Sequence, residues 1–165
     1  MKVRFRMKRM IYAALTLLLL STSIYAKEGG PGQSIGEVIA SKANFSIFAK
    51  AINQAGLQDF IENAKELTIF APDDAAFAKL SEAAMNQLFS NKDLLRYIVE
   101  FHISEGIILA EDLQYRTYNP MMNARTVSVM IEGDDILIDE SKIIKSDITA
   151  SNGAIHVIDK VLGSM

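Results

Sequence analysis

The hydrophobic spacing of this 165-residue chain changes period near its middle, and this constrains the fold more than any single residue. Before Phe101 the apolar positions follow helical spacing. Phe45, Phe48, Ala49 and Ile52 stand at i, i+3, i+4 and i+7, with Asn44 placed to cap and Gly56 to stop the helix. Leu57, Phe60 and Ile61 repeat that spacing over one more turn. Two further helices are expected, one capped by Ser81 and carrying Met85, Leu88 and Phe89. The other is capped by Asn91 and carries Leu94, Leu95 and Ile98. One short β-like run, Leu67–Ala71, interrupts them and ends at Pro72. After Phe101 the period becomes two. Val127, Val129 and Ile131 alternate with Ser128 and Met130, and Gly133-Asp134-Asp135 is turn chemistry before a partner strand at Ile136–Ile138. Ile143-Ile144 and Ile155–Val161 are further strands, separated by the Asn152-Gly153 turn signal. Helices first and strands after predict an α+β fold.

Charge divides the chain differently. Residues 1–26 hold five basic side chains and no acid, then an apolar run from Met10 to Leu20, then Ser21-Thr22-Ser23 and Ile24-Tyr25-Ala26. That order is expected of a secretory signal peptide, cleaved after Ala26. Its uncharged stretch is shorter than the ~20 residues that span a bilayer comfortably. Residues 27–33, with Gly29-Gly30-Pro31-Gly32, form a flexible lead-in. A domain over 34–162 and a tail over 163–165 complete the expected organisation. Without the leader, 12 basic and 20 acidic residues remain, a net charge of −8. Such a surface repels phosphate backbones and anionic membranes, so neither nucleic acid nor membrane insertion of the mature chain is expected. The chain has no cysteine, which excludes disulfides, thiol catalysis and Cys-ligated metal. Export and the absence of disulfides together leave stability to packing and hydrogen bonds.

Catalytic motifs are absent: no Gly-x-Ser-x-Gly elbow, phosphate-cradling loop or His-Glu-x-x-His occurs. Each histidine, His102 and His156, is flanked by apolar residues and reads as a buried group satisfied by a hydrogen bond. A hydrolase built on either would lack a nucleophile motif. The pairs Asp73-Asp74 and Asp134-Asp135 do not have calcium-loop spacing. They read as a helix cap and a hairpin turn. No cofactor and no metal is expected.

Three segments, in order, resemble signature boxes of the fasciclin-like (fasciclin I) domain family. Thr68-Ile69-Phe70-Ala71-Pro72-Asp73-Asp74-Ala75-Ala76-Phe77 resembles the first, and Leu94–Ile103 the central segment. Asn152-Gly153-Ala154-Ile155-His156-Val157-Ile158-Asp159-Lys160-Val161-Leu162 resembles the second box. The resemblance covers about Ser34–Leu162. It implies a wedge or sandwich of β-strands with helices packed against it, and an exported adhesion or interaction module, periplasmic or extracellular. Its implied partner is a protein or polysaccharide at the cell surface or matrix. A carrier of a small hydrophobic ligand is the alternative. The family's Tyr-His pair falls here on Phe101-His102, and its Asp-Ile pair on Asp147-Ile148; these four are the expected partner-binding residues.

The box residues Thr68, Phe70, Pro72, Asp73, Phe77, Asn152, Gly153, His156 and Asp159 read mainly as architecture. Pro72 ends a strand, an Asp beside it caps a helical turn, and Phe70 and Phe77 anchor the core. Gly153 is expected to supply a positive φ that Asn152 tolerates. Ile155, Val157 and Val161 are expected on the core side of the last strand, with Ile158 at a bulge or edge. One domain bridges two surfaces only by self-association or by a second binding face.

Overall fold

The structure, a computed structural model, describes residues 32–163. The expected leader, the lead-in through residue 31 and the last two tail residues lie outside the described residues. The first helix, α1 (Ile35–Ser41), has a cap the helical spacing did not reveal: Ser34 Oγ accepts from Glu37 N–H while the Glu37 carboxylate accepts from Ser34 N–H. This Ser-x-x-Glu capping box is visible in the sequence. A 3₁₀ turn (Ala43–Phe45) leads into α2 (Ser46–Ala55), ended by Gly56 at φ 70°. Asn44 does not cap α2. The carboxylate of Asp74 does so from 27 positions further on, accepting Ile47 N–H at 2.9 Å and Ser46 Oγ–H at 2.7 Å. A cap from a packed neighbour satisfies the same free donors and also ties two elements.

The helix α3 (Gln58–Asn63) leads to strand β1 (Leu67–Pro72), and α4 (Asp74–Phe77) starts on Asp73, whose Oδ1 accepts Ala76 N–H at 2.7 Å. Ser81 and Asn91 cap α5 (Glu82–Ser90) and α6 (Lys92–Glu100). Next come β2 (Ile103–Glu105), the short helix α7 (Ala110–Leu113), and β3 (Tyr118–Pro120). The chain finishes with β4 (Thr126–Glu132), β5 (Asp135–Ile138), β6 (Ser141–Ala150) and β7 (Gly153–Ile158). The seven strands form one sheet in the order β2-β1-β7-β6-β5-β4-β3. All neighbours are antiparallel except β1 and β7, which run parallel from Leu67↔Gly153 to Pro72↔Ile158. The two ends of the sheet meet: Met122 N–H donates to Ile103 O at 2.8 Å, and Ser104 Oγ–H to Pro120 O at 2.9 Å. The result is a barrel-like α+β fold, helices first and strands after.

Two cores follow from the alternation of β1 and β7. Leu67, Ile69, Ala71, Ile155 and Val157 face the helices and pack with Ile39, Phe48, Ile52 and Leu95. Phe70 and Ile158 face the other way, into an interior shared with Phe101, Leu113, Val127 and Ile138. Each fully buried Phe contributes about 2 kcal/mol or more. Ile158 is therefore fully buried in an inner strand, not at an edge, and it stands opposite the first register irregularity of β6, between Ile143 and Lys145. The extra residues of these irregularities belong to β6, between Ile143 and Ile148. That strand is longer than the Ile143-Ile144 signal indicated. Strand β7 stops at Ile158, and Val161 packs from the loop beyond it.

Candidate functional site

His102 sits between α6 and β2 with its ring fully buried against Phe48, ring centroids 5.6 Å apart. Its Nε2 accepts Leu162 N–H at 3.0 Å, so the proton is on Nδ1, which donates to Ile98 O at 2.8 Å. Burial pushes this histidine down to about 4, and the bond to Ile98 opposes only part of that. The ring is neutral and both nitrogens are engaged, joining α6 to the segment after β7.

His156 lies on the opposite face of the sheet, stacked on Phe70 at 5.4 Å. Its Nε2–H donates to Ile108 O at 2.8 Å, and its Nδ1 accepts Asp147 N–H at 3.3 Å. Burial again lowers its pKa, against the opposing effects of the Ile108 bond and the Asp147 charge. Neither histidine has a nitrogen left to act as a base. Among the described residues no three acidic or histidine side chains converge as a bound metal would require.

Asp147 is the unusual residue of this region. It occupies the β6 irregularity with φ 58°, a left-handed conformation that costs a non-glycine residue about 1 kcal/mol or more. Its backbone N–H is held by His156 and its Oδ1 accepts Ala110 N–H at 2.9 Å, at the start of α7. The side chain is exposed, and Ile107, in the loop before α7, is exposed too. The other three expected partner-binding residues are inside: Phe101 in the barrel interior, His102 in the helix-side layer and Ile148 in the helix-side core. The four do not form one surface patch. The loop preceding α7, fastened to His156 through Ile108, and the start of α7, fastened to Asp147 through Ala110, carried no hydrophobic period and were not visible in the sequence.

The box residues hold the frame. Asn152 Oδ1 accepts Ile35 N–H at 2.8 Å, its Nδ2–H groups donate to Ile61 O and Ala64 O, and its backbone O accepts Leu67 N–H. One side chain thus joins α1, α3 and the turn before β7. Its φ is not positive, which corrects the expected reason for an Asn there. Gly153 is required less by its φ than by contact: a Cβ on it would sit 1.8 Å from Leu67 O. Thr68 Oγ1 donates to Gly106 O and accepts Ile108 N–H, both at 2.8 Å. Asp159 Oδ1 accepts Lys142 N–H at 2.8 Å and its Oδ2 pairs with Lys79 Nζ at 3.0 Å. Partial burial pushes that carboxyl up, but Lys79, Lys142 N–H and Ser141 outweigh it and hold it below the usual value. Pro72 closes β1, and Phe77 packs on Phe48 at 6.5 Å.

An open groove of about 440 Å³ lies between α1, α2 and α3. Its floor residues Ile39, Ile52 and Ile61 are almost wholly covered, and its rim is polar, with Asn53, Gln54 and Gln58. It offers a hydrophobic ligand little apolar surface.

The profile of the Fasciclin domain matches residues 43–164. A Synechocystis protein, the uncharacterized protein sll1735, is 34% identical over 137 residues, covering 78% of this chain and 96% of its own length. Human periostin is 26% identical over 132 residues, covering 79% of this chain, which spans only 16% of periostin's length. Among solved structures, the FAS1 domain pair from the insect cell adhesion molecule fasciclin I superposes with a TM-score of 0.69. The identity there is 23%, over 80% of this chain and 51% of that one, a likeness of fold. With its sheet order, its buried boxes and this match over most of its length, the chain belongs to the fasciclin domain family.

Proposed function

We propose that this protein is a non-catalytic adhesion module, exported to the periplasm or the exterior, that binds a protein or polysaccharide at the cell surface or matrix. Family membership and the fold shared with a cell adhesion molecule support the reading. The observation that carries it is the Asp147 corner. A charged residue held in a left-handed bulge, exposed and braced from below by His156, is a fixed contact point rather than a mobile one. Both histidines being spent on backbone partners argues against hydrolysis. No helix among the described residues is long and apolar enough to cross a membrane.

The test is binding of the labelled full chain to envelope or matrix from its native cell. Saturable binding is expected. Asp147→Asn keeps an acceptor for Ala110 N–H and tolerates the left-handed backbone, removing only the charge. It should weaken binding about tenfold with an unchanged melting temperature. Binding that never saturates would sink the adhesion reading, and full-strength binding by Asp147→Asn would move the contact elsewhere.

A further inference from the structure

The groove between α1, α2 and α3 has walls whose chemistry the frame does not use. Gly36 and Ala40 stand four apart on α1, and Ala49 and Asn53 four apart on α2, so each pair shares a helix face. Three of these four residues are too small to fill the space between the helices. About 440 Å³ stays open, within the about 300–1,000 Å³ of small-molecule sites. Gly36 also lets α3 come close, since a Cβ there would stand 3.0 Å from Glu62 Cγ. Glu62 in turn orients the amides that edge the groove. A carboxylate only accepts, so Gln58 turns its Nε2–H to Glu62 Oε1, at 3.0 Å, and its own Oε1 to Asn53. Asn53 donates its Nδ2–H to that oxygen at 3.2 Å. The second hydrogen of each amide, Asn53 Oδ1 and the whole amide of Gln54 have no partner among the described residues, and all three residues are exposed.

We propose that this groove is a binding site for an uncharged glycan chain, whose hydroxyls bridge the oriented amides of Asn53, Gln54 and Gln58 while its C–H faces lie over Ala40 and Ala49. A hydroxyl both donates and accepts, and so does an amide, so each planar side chain can hold a pair of neighbouring hydroxyls. Amides already fixed by one another lose little freedom when such a ligand arrives. Other ligand classes fit less well. An apolar one would find little beyond the two alanines and the edges of covered isoleucines. An anionic one would meet a single cation among the described residues that line the groove, Lys50, whose Nζ lies 5.2 Å over the Phe89 ring, outside it. The net negative charge of the domain opposes it further. No carboxylate among the described lining residues stands ready for a cation. The groove lies in the helix layer and shares no residue with the Asp147 corner. A domain with two separate binding faces can join two surfaces without self-association. That use rests on the adhesion reading, whereas the site itself rests on the groove.

Titration of the full chain with uncharged hexasaccharides of glucose, mannose and galactose tests this, followed by NMR of the side-chain amide signals. At least one of these sugars should bind with a dissociation constant of about 1 mM or below and shift the signals of Asn53, Gln54 and Gln58. Gln58→Ala removes an amide at an exposed position where alanine favours the helix. It should weaken binding at least about tenfold with an unchanged melting temperature. Ala40→Leu, exposed on α1, fills the groove and should weaken binding as much, which keeps the test if either variant misfolds. Lys50→Gln should leave binding unchanged. Binding of none of the sugars overturns the proposal, as does binding indifferent to both Gln58→Ala and Ala40→Leu. Alginate bound ahead of the uncharged sugars, and lost in Lys50→Gln, overturns the uncharged class. An envelope protein held through Gln58 where no sugar binds makes the groove a protein site instead. Sugar binding without envelope binding sinks only the adhesion reading; envelope binding without sugar binding sinks only the glycan site.

Discussion

Strands β7 and β4 are built from similar β-formers and meet opposite fates. All six residues of β7 are buried, His156 included, while only Val127 and Val129 of the seven in β4 are. The difference is position. β7 lies between β1 and β6, with helices on one face and the barrel interior on the other. β4 has β5 on one side and a three-residue strand on the other, and its outer face meets water. A strand covered on both faces has no spare surface, so its polar groups must serve the frame. A strand covered on one face keeps half its side chains in water.

The largest expected effect falls at the covered end. Gly153→Ala forces its new methyl into the Leu67 carbonyl; the β1–β7 pairing must open, costing about 4 kcal/mol or more in urea unfolding. Near wild-type stability would show that the parallel centre can shift. Asn152→Ala leaves Ile35 N–H, Ile61 O and Ala64 O without that partner, for a loss of about 3 kcal/mol by the same measurement.

Acid should act on the same region. His102 titrates near 6.5 unfolded and about 4 folded, so the unfolded chain binds the extra proton between those values. Its contribution is fully present above pH 6.5 and is lost as pH falls toward 4, by about 3 kcal/mol. His156, also lowered, loses stability in the same direction, and Asp159 adds to the loss once pH drops below its ordinary carboxylate range. Thermal melts from pH 8 to 4 check this; a flat profile would mean that the rings are hydrated. Asp147→Ala, between the two regimes, loses the bond to Ala110 and keeps an unfavourable backbone, about 1–2 kcal/mol. The smallest effect is expected at the open face: Met130→Gln should stay within about 0.5 kcal/mol of the parent. A larger loss would mean that β4 is covered after all.

Much of the frame was legible. Gly56, Ser81 and Asn91 end or begin helices where their chemistry places them, because a cap is a local hydrogen bond. The period-two run from Val127 located β4 within a residue or two. Asn44 failed as a cap because Asp74, distant in sequence, satisfies the same donors. The strands β2 and β3 and helix α7 were missed because short elements carry too few residues to show a period. At the candidate site, the Asp147-Ile148 pair was legible, but not that Asp147 is exposed and strained while Ile148 is buried.

By itself the sequence determined the class of fold, the helix limits that depend on adjacent residues, and the boxes that mark the family. These are short-range matters: spacing, caps and turns act over a few residues. Only the tertiary structure decided why Asn152 and Gly153 stand where they do, which histidine braces Asp147, and which face of β4 meets water. Those depend on neighbours brought from dozens of residues away, such as Leu67 against Gly153 and Ile108 against His156, and no local pattern encodes which neighbours those will be.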